Sequence, residues 1–206
     1  MGENYRRAPK QARSQDLVDA VVDAAARLLA EGGSTTTNHI AETAGVSIGS
    51  VYRYFGTKDQ IYEAVAQRYV EQLEPVVNDA LRQVVADPSP ATIRDVLARS
   101  LRTENAVPGL GTALNRLRLR GVTIATLDAF ERRLEDAWVE ALTAGAPGQL
   151  AARTLSRAVM GTLRATLALS PRAMYSDAFA TELVELIMGY LGGPSLEKVR
   201  GGAEGR

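Results

Sequence analysis

Apolar positions recur along most of this chain with the spacing of α-helices. The first stripe consists of Val18, Val21, Val22, Ala25, Leu28 and Leu29. It predicts a helix over residues 15–31, with Ser14 as its N-cap and Gly32 at its end. Strand-like alternation is scarce and helix-forming residues dominate, which predicts an all-α fold of about nine helices.

Stripes of the same period continue to residue 191. They predict helices over residues 58–85, 91–103, 110–120, 123–144, 149–169 and 177–191. Segments rich in Gly, Pro or Ser separate several of these helices. Pro75 falls inside the longest helix and is expected to kink it, because proline lacks the backbone N–H and clashes with the preceding turn.

The stretch from Thr35 to Lys58 departs from this pattern of long helices. Thr35 or Thr36 can cap a short helix that ends before Gly45, and Gly45 suits the left-handed conformation that follows a helix. Ser47 can then cap a second short helix over residues 48–55. Two short helices joined by a tight turn form a helix-turn-helix, in which the second helix enters the major groove of DNA.

The second short helix carries side chains suited to DNA. Val51 and Phe55 are four residues apart and are expected to face the core, which leaves Ile48, Gly49, Ser50, Tyr52, Arg53 and Tyr54 outward or sideways. Small residues allow close approach to the groove, an isoleucine can meet a thymine methyl, and tyrosine hydroxyls can donate to phosphates. The alternative for either tyrosine is packing against neighbouring helices.

Lys58 begins the next helix, and Thr57 with Gln60 matches a capping box. A cation opposes the dipole in the first helical turn, so we expect Lys58 and the free N–H groups there to bind a phosphate. The alternative is an incidental surface lysine. His39 is expected to be exposed, and nothing near it in sequence suggests a catalytic base.

The motif T-x-x-x-I-A-x-x-A-G-V-S-x-G-S-V-Y-x-Y-F-x-x-K-x-x-[IL] resembles the DNA-binding domain of the tetracycline-repressor (TetR/AcrR) family of bacterial regulators. Its positions are Thr36, Ile40, Ala41, Ala44, Gly45, Val46, Ser47, Gly49, Ser50, Val51, Tyr52, Tyr54, Phe55, Lys58 and Ile61. The resemblance covers about the first third of the chain. It implies a three-helix DNA-binding domain, a homodimer, and a helical body that binds a small effector and thereby releases DNA.

Residue pattern and resemblance together give the predicted DNA-binding set. It comprises Thr36, Thr37, Asn38, Ser47, Ile48, Gly49, Ser50, Tyr52, Arg53, Tyr54 and Lys58. Asn38 stands where some relatives carry a base-reading arginine, and asparagine can instead pair with adenine. Residues 1–13 carry four cations and are either disordered or an arm that adds DNA contacts.

The predicted domains are residues 1–60 for DNA binding, residues 61–192 for effector binding and dimerisation, and a disordered tail over residues 193–206. Aromatic residues are scarce, so few side chains of the helical body are available to line a large apolar pocket. The expected effector-binding residues are Tyr69, Leu73, Leu101, Phe130, Leu134 and Trp138. Trp138 alternatively serves only as core packing. The effector is expected to be hydrophobic or amphipathic.

The last two long helices predict the dimer interface. One carries a stripe of small residues, and the other is apolar on most sides, as expected of a helix buried on two sides. A four-helix interface between two copies would bury both. The expected interface residues are Ala158, Gly161, Ala165, Phe179, Leu183, Leu186, Ile187 and Tyr190.

Composition limits the other possibilities. The chain has 24 basic and 24 acidic residues, one histidine and no cysteine, so we expect no metal site, no cofactor and no catalytic residues. No apolar run is long enough to cross a membrane, and the N-terminus is polar, so a cytoplasmic location is expected.

The sequence therefore predicts a ligand-responsive dimeric repressor of a palindromic operator, with double-stranded DNA and a small molecule as partners. An activator of the same fold is an alternative, because the sign of regulation depends on where the operator lies. An all-α small-molecule-binding protein or enzyme, or a helical protein adaptor, is a further alternative. The enzyme or carrier lacks support, because the chain has one histidine, no cysteine and no phosphate-binding glycine loop. The adaptor would leave the exposed small and tyrosine residues of the second short helix unexplained.

Overall fold

The computed structural model describes residues 7–32, 35–87, 89–102, 107–143, 149–174 and 176–192. All regular structure in these ranges is helical, which confirms the all-α prediction. The helices are α1 (Arg7–Ala30), α2 (Thr37–Thr43), α3 (Ile48–Tyr54), α4 (Lys58–Ala86), α5 (Pro90–Arg102), α6 (Leu110–Leu119), α7 (Ala125–Thr143), α8 (Gln149–Leu169), α9 (Pro171–Met174) and α10 (Asp177–Gly192). The predicted tail and the first six residues of the predicted arm lie outside these ranges.

Helix α1 begins at Arg7, which corrects the predicted start at residue 15. Ser14 therefore lies inside the helix and is not its N-cap. Residues 10–13 are strong helix formers, and Pro9 is tolerated because the N–H groups of a first turn have no intrahelical partner. The helix propensity of this segment outweighs the capping preference of Ser14. Every other predicted helix begins and ends within about two residues of its observed bounds.

The described residues fall into two compact units, the first within residues 1–71 and 105–127 and the second within residues 72–104 and 128–206. In the first unit α1 packs against α2, α3 and α6. Its centre consists of fully buried aliphatic side chains, among them Val21, Ile40, Val51 and Ile61. Because α2 and α3 are only seven residues each, they depend on this packing for stability.

The second unit has its own core. Helix α5 packs against α10, and α10 also contacts α8. The buried cluster contains Ala80, Val84, Ile93, Val96, Leu97, Leu155, Leu183, Val184 and Ile187. Within the described residues, no helix combines the length and the apolar composition that crossing a membrane requires.

Candidate nucleic-acid interface and cavity

Local capping interactions define both helices of the helix-turn-helix. The Thr36 side chain accepts a hydrogen bond from the backbone N–H of His39, and the Ser47 side chain accepts one from Ser50. Between the helices, Gly45 has a φ of 68°, a left-handed conformation that glycine adopts without steric cost. Both helices thus start, and α2 also stops, where the local chemistry of the nearby residues requires.

Helix α3 turns one side to the core and the other to solvent. Val51 is fully buried, whereas Ile48, Tyr52 and Tyr54 are exposed by 36%, 56% and 39%. A Cβ atom added at Gly49 would meet nothing closer than the Ser47 hydroxyl at 4.0 Å. Packing therefore does not require a glycine at this position, and the open face that it leaves is available for approach to another molecule.

The predicted DNA-binding residues lie on α2, on α3 and at the start of α4 or immediately before these helices. All are exposed except Thr37 and Ser50, which are half-buried. The Ser47 and Ser50 hydroxyls lie 2.8 Å apart and hydrogen-bond to each other. His39 is exposed as predicted, with Nδ1 3.8 Å from the Glu42 carboxylate.

Tyr62 is a supporting residue that the sequence analysis did not identify. Its buried side chain forms a 2.6 Å hydrogen bond with the Thr35 hydroxyl. The Lys58 ammonium lies 5.5 Å from the centre of its ring, a cation–π contact. The spacing of Lys58 and Tyr62 by four residues in one helix was the signal that could have identified this pair.

The acidic face of α1 is partly neutralised within the protein. Arg68 of α4 pairs with Asp19 and, at 2.6 Å, with Asp23. These carboxylates would otherwise repel DNA phosphates through long-range electrostatics. Among the described residues, no group of three histidine, aspartate or glutamate side chains could hold a metal ion.

The second unit contains a cavity with about 470 Å³ of empty space, part of which is open to solvent. It is lined by Val84, Ile93, Val96, Leu97, Trp138, Leu155, Ser156, Val159, Met160 and Ile187. Of the predicted effector-binding residues, Trp138 lines this cavity. Phe130 and Leu134 are buried on the same helix, and Leu73 is half-buried on α4.

The other two predicted effector-binding residues are placed differently. Tyr69 belongs to the first unit, where its hydroxyl occupies the space above Gly111: a Cβ added there would lie 2.3 Å from it. The side chain of Leu101 lies outside the described structure. The lining residues Ser156, Val159 and Met160 are not among the predicted ones, because the sequence of α8 shows most clearly its stripe of small residues.

The predicted dimer residues also divide into groups. Leu183 and Ile187 are buried at 2% and 8% exposure in the core of the protomer, so their apolar character alone does not require a partner. Phe179, Tyr190 and Gly161 are half-buried. Ala158, Ala165 and Leu186 are exposed and remain available to a second subunit.

The family model described as bacterial regulatory proteins, tetR family, matches residues 21–65. This segment of the chain is therefore similar to the DNA-binding region of the TetR family. The matched segment contains the second half of α1, all of α2 and α3, and the first two turns of α4. This match confirms the resemblance that the motif indicates.

Named relatives match about a third of the chain. The HTH-type transcriptional dual regulator CecR of Shigella flexneri is 38% identical over 77 residues, which is 34% of each chain. The nucleoid occlusion factor SlmA of Actinobacillus pleuropneumoniae serotype 5b (strain L20) is 29% identical over 75 residues, or 36% of each chain. The match thus spans about a third of the length of these curated relatives.

Solved structures resemble the chain over a larger part of its length. A TetR-like transcriptional regulator from Rhodococcus sp. RHA1 has a TM-score of 0.62 at 20% identity, covering 88% of this chain and 96% of that one. A likeness at this identity shows a common fold. Beyond its helix-turn-helix, the chain therefore shares the helical architecture of that regulator, which confirms the predicted combination of an N-terminal helix-turn-helix and a helical C-terminal region.

Proposed function

We propose that the protein is a transcriptional regulator that binds double-stranded operator DNA through α3 and is released by a small hydrophobic or amphipathic effector. The observation that carries this proposal is α3 itself, a short capped helix inside the TetR-family segment with Ile48, Tyr52 and Tyr54 exposed. Large side chains on one short exposed helix mark an interaction site. The second helix of a helix-turn-helix meets base edges with its N-terminal residues.

The proposed contacts divide by chemistry. Ile48 and Asn38 read bases, because an aliphatic side chain fits a thymine methyl and an amide fits adenine. Hydroxyl groups of Thr36, Tyr52 and Tyr54 bind phosphates, as do Lys58 and Arg53. The small residues Thr37, Ser47, Gly49 and Ser50 complete the proposed contact surface and allow close approach to the groove.

Lys58 provides the sharpest test of DNA binding. Fluorescence anisotropy of the full chain with duplexes from its own upstream region is measured over a range of salt concentrations. Lys58→Ala is expected to weaken binding to all sequences and to reduce the slope of log K against log salt by about 1. Arg132→Ala, which removes an exposed cation of α7, is the control and should leave both quantities unchanged. No binding at low salt would favour the small-molecule-binding alternative.

Base reading is tested with Asn38→Ala and Ile48→Ala. Each is expected to change the ranking of operator variants at one position, by about 1–3 kcal/mol, without changing the salt slope. Uniform weakening across all sequences would contradict the assignment of these two residues to bases. A randomised-site selection with the wild-type protein supplies the operator variants for this comparison.

The proposed regulator is a dimer formed through α8 and α10, with one α3 helix for each operator half-site. Leu186 of α10 is 43% exposed and Ala158 and Ala165 of α8 are exposed, which leaves apolar surface for a partner. Leu186→Glu is expected to shift sedimentation velocity toward the monomer. Leu119→Glu, at an apolar position of α6 that is 69% exposed, is the matched control. Equal effects of both changes would contradict this interface.

The domains we propose are residues 1–60 for DNA binding and residues 61–192 for effector binding and dimerisation. The supporting observation for an effector is the cavity beside Trp138.

The sign of regulation is tested by transcription. If the protein is a repressor, effector binding is expected to lower its affinity for the operator, and deletion of its gene is expected to raise transcription from the neighbouring promoter. The opposite change in transcription would identify an activator. An effector acts only if it binds one conformation better than the other.

A further inference from the structure

The cavity of the second unit has one hydroxyl-bearing residue among the described residues that line it. Its walls are aliphatic except for Trp138, Met160 and Ser156. Ser156 is only 4% exposed, and its Oγ has no hydrogen-bond partner in the described structure. Buried hydroxyl groups without a partner are rare in native proteins, because each loses its hydrogen bonds to water without replacement.

Two other hydroxyls on α8 have a partner within the helix. Thr154 Oγ1 donates to the Leu150 carbonyl at 2.8 Å, and Thr162 Oγ1 donates to the Ala158 carbonyl at 2.8 Å. Serine and threonine in helices commonly make this bond to the carbonyl four residues earlier. Ser156 does not make the equivalent bond and therefore keeps its hydrogen-bonding capacity available in an apolar cavity.

The charged residues of α8 do not line the cavity. Arg153 and Arg157 both pair with Glu135, at 3.4 and 3.0 Å, and neither lines the cavity. A carboxylate or ammonium ligand would therefore be transferred from water to an apolar space without a counter-charge, which is strongly unfavourable. A single water molecule is also a poor occupant, since buried waters have two to four polar partners.

We propose that this cavity binds an uncharged, mostly apolar small molecule with one alcohol-type oxygen, which hydrogen-bonds to Ser156. This inference rests on the proposed function, since it specifies the chemical class of the effector. Within the cavity, the space open to a water-sized molecule is about 30 Å³. A ligand of more than a few non-hydrogen atoms therefore displaces lining side chains, and Trp138 and the flexible Met160 are both half-buried.

The test uses the full chain without DNA and four probes of similar length: 1-hexanol, 1-fluorohexane, hexanoate and hexylamine. Binding is followed by the emission of Trp138, the only tryptophan, and by the shift in Tm. We expect 1-hexanol to bind about five- to tenfold more tightly than 1-fluorohexane, the order expected for one neutral hydrogen bond. Hexanoate and hexylamine are expected not to bind.

Substitution of the serine isolates its contribution. Ser156→Ala is expected to remove the preference for 1-hexanol while leaving 1-fluorohexane binding unchanged or stronger. Thr154→Ala, which deletes a hydroxyl on the same helix that already has a partner, should preserve the preference. A preference that survives Ser156→Ala, tighter binding of either charged probe, or no binding of any probe would overturn the proposal. Operator affinity of each variant, measured without probe, shows separately whether DNA binding fails.

Discussion

The Tyr54 hydroxyl donates a hydrogen bond of 2.9 Å to the Ser14 hydroxyl, which joins the end of α3 to α1 across 40 positions of sequence. A phenol has a single proton to donate. It therefore cannot donate to Ser14 and to a DNA phosphate at the same time. If Tyr54 binds phosphate, this bond breaks or reverses when the protein meets its operator.

The two residues make this exchange testable. Tyr54→Phe is expected to weaken binding to all DNA sequences by about two- to tenfold, because a hydroxyl–phosphate hydrogen bond is lost. Ser14→Ala is expected to leave affinity unchanged or slightly higher, because it removes a competitor for the same proton. Anisotropy titrations compare the variants. Equal weakening by both would mean that Tyr54 acts by holding α1 and not by touching DNA.

Glu63 of α4 is expected to stabilise the start of α7. Its carboxylate accepts backbone hydrogen bonds from Ala125 at 2.5 Å and Thr126 at 3.1 Å, which satisfies two N–H groups of the first helical turn. Glu63→Gln should lower the free energy of unfolding by about 1 kcal/mol, typical of a lost helix cap. Thermal unfolding measures this loss, with Glu71→Gln as control because, among the described residues, that carboxylate bonds only the Gln67 side chain. Equal losses would contradict the capping role.

Pro75 is expected to destabilise α4, which continues through it from Lys58 to Ala86. Proline cannot donate to the carbonyl of Glu71, four residues earlier, and the boundary between the compact units follows Glu71 directly. Pro75 is exposed, so Pro75→Ala loses little packing and should raise Tm by several degrees. Pro90→Ala is the control, since Pro90 is the first residue of α5, where proline is favourable. An unchanged Tm for Pro75→Ala would show that the helix is not strained there.

Asp87 is expected to make the thermal stability of the protein depend on pH in the acid range. Hydrogen bonds from the Thr92 side chain, and then from the side chain and backbone of Ser89, lower the pKa of Asp87 below its usual 3.8. A carboxyl group with a lowered folded pKa stabilises above its unfolded pKa and loses this effect as pH falls through the folded value. Asp87→Asn should therefore lower Tm at pH 7. The difference from wild type should shrink as pH falls below about 4. A constant difference between pH 7 and pH 2 would contradict this linkage.

The local sequence was sufficient to predict the bounds of α2 and α3. Thr36, Gly45 and Ser47 each act within a few residues of their own position, so their capping and turn roles follow from residue type alone. The start of α1 was predicted wrongly because two local signals compete there. Ser14 favours a cap, whereas the residues before it favour continuation of the helix, and residue preferences of similar size do not decide between them.

The sequence by itself determined the helical class, the helix-turn-helix and the resemblance of residues 21–65 to the TetR family, because these depend on spacing and on interactions between near neighbours. Only the tertiary structure decided what each outward residue meets. Tyr54 meets Ser14, Tyr62 supports Thr35 and Lys58, and Ser156 lines a cavity without a hydrogen-bond partner. Periodicity places a side chain on one side of its own helix, but which helix packs against that side depends on contacts between distant parts of the chain.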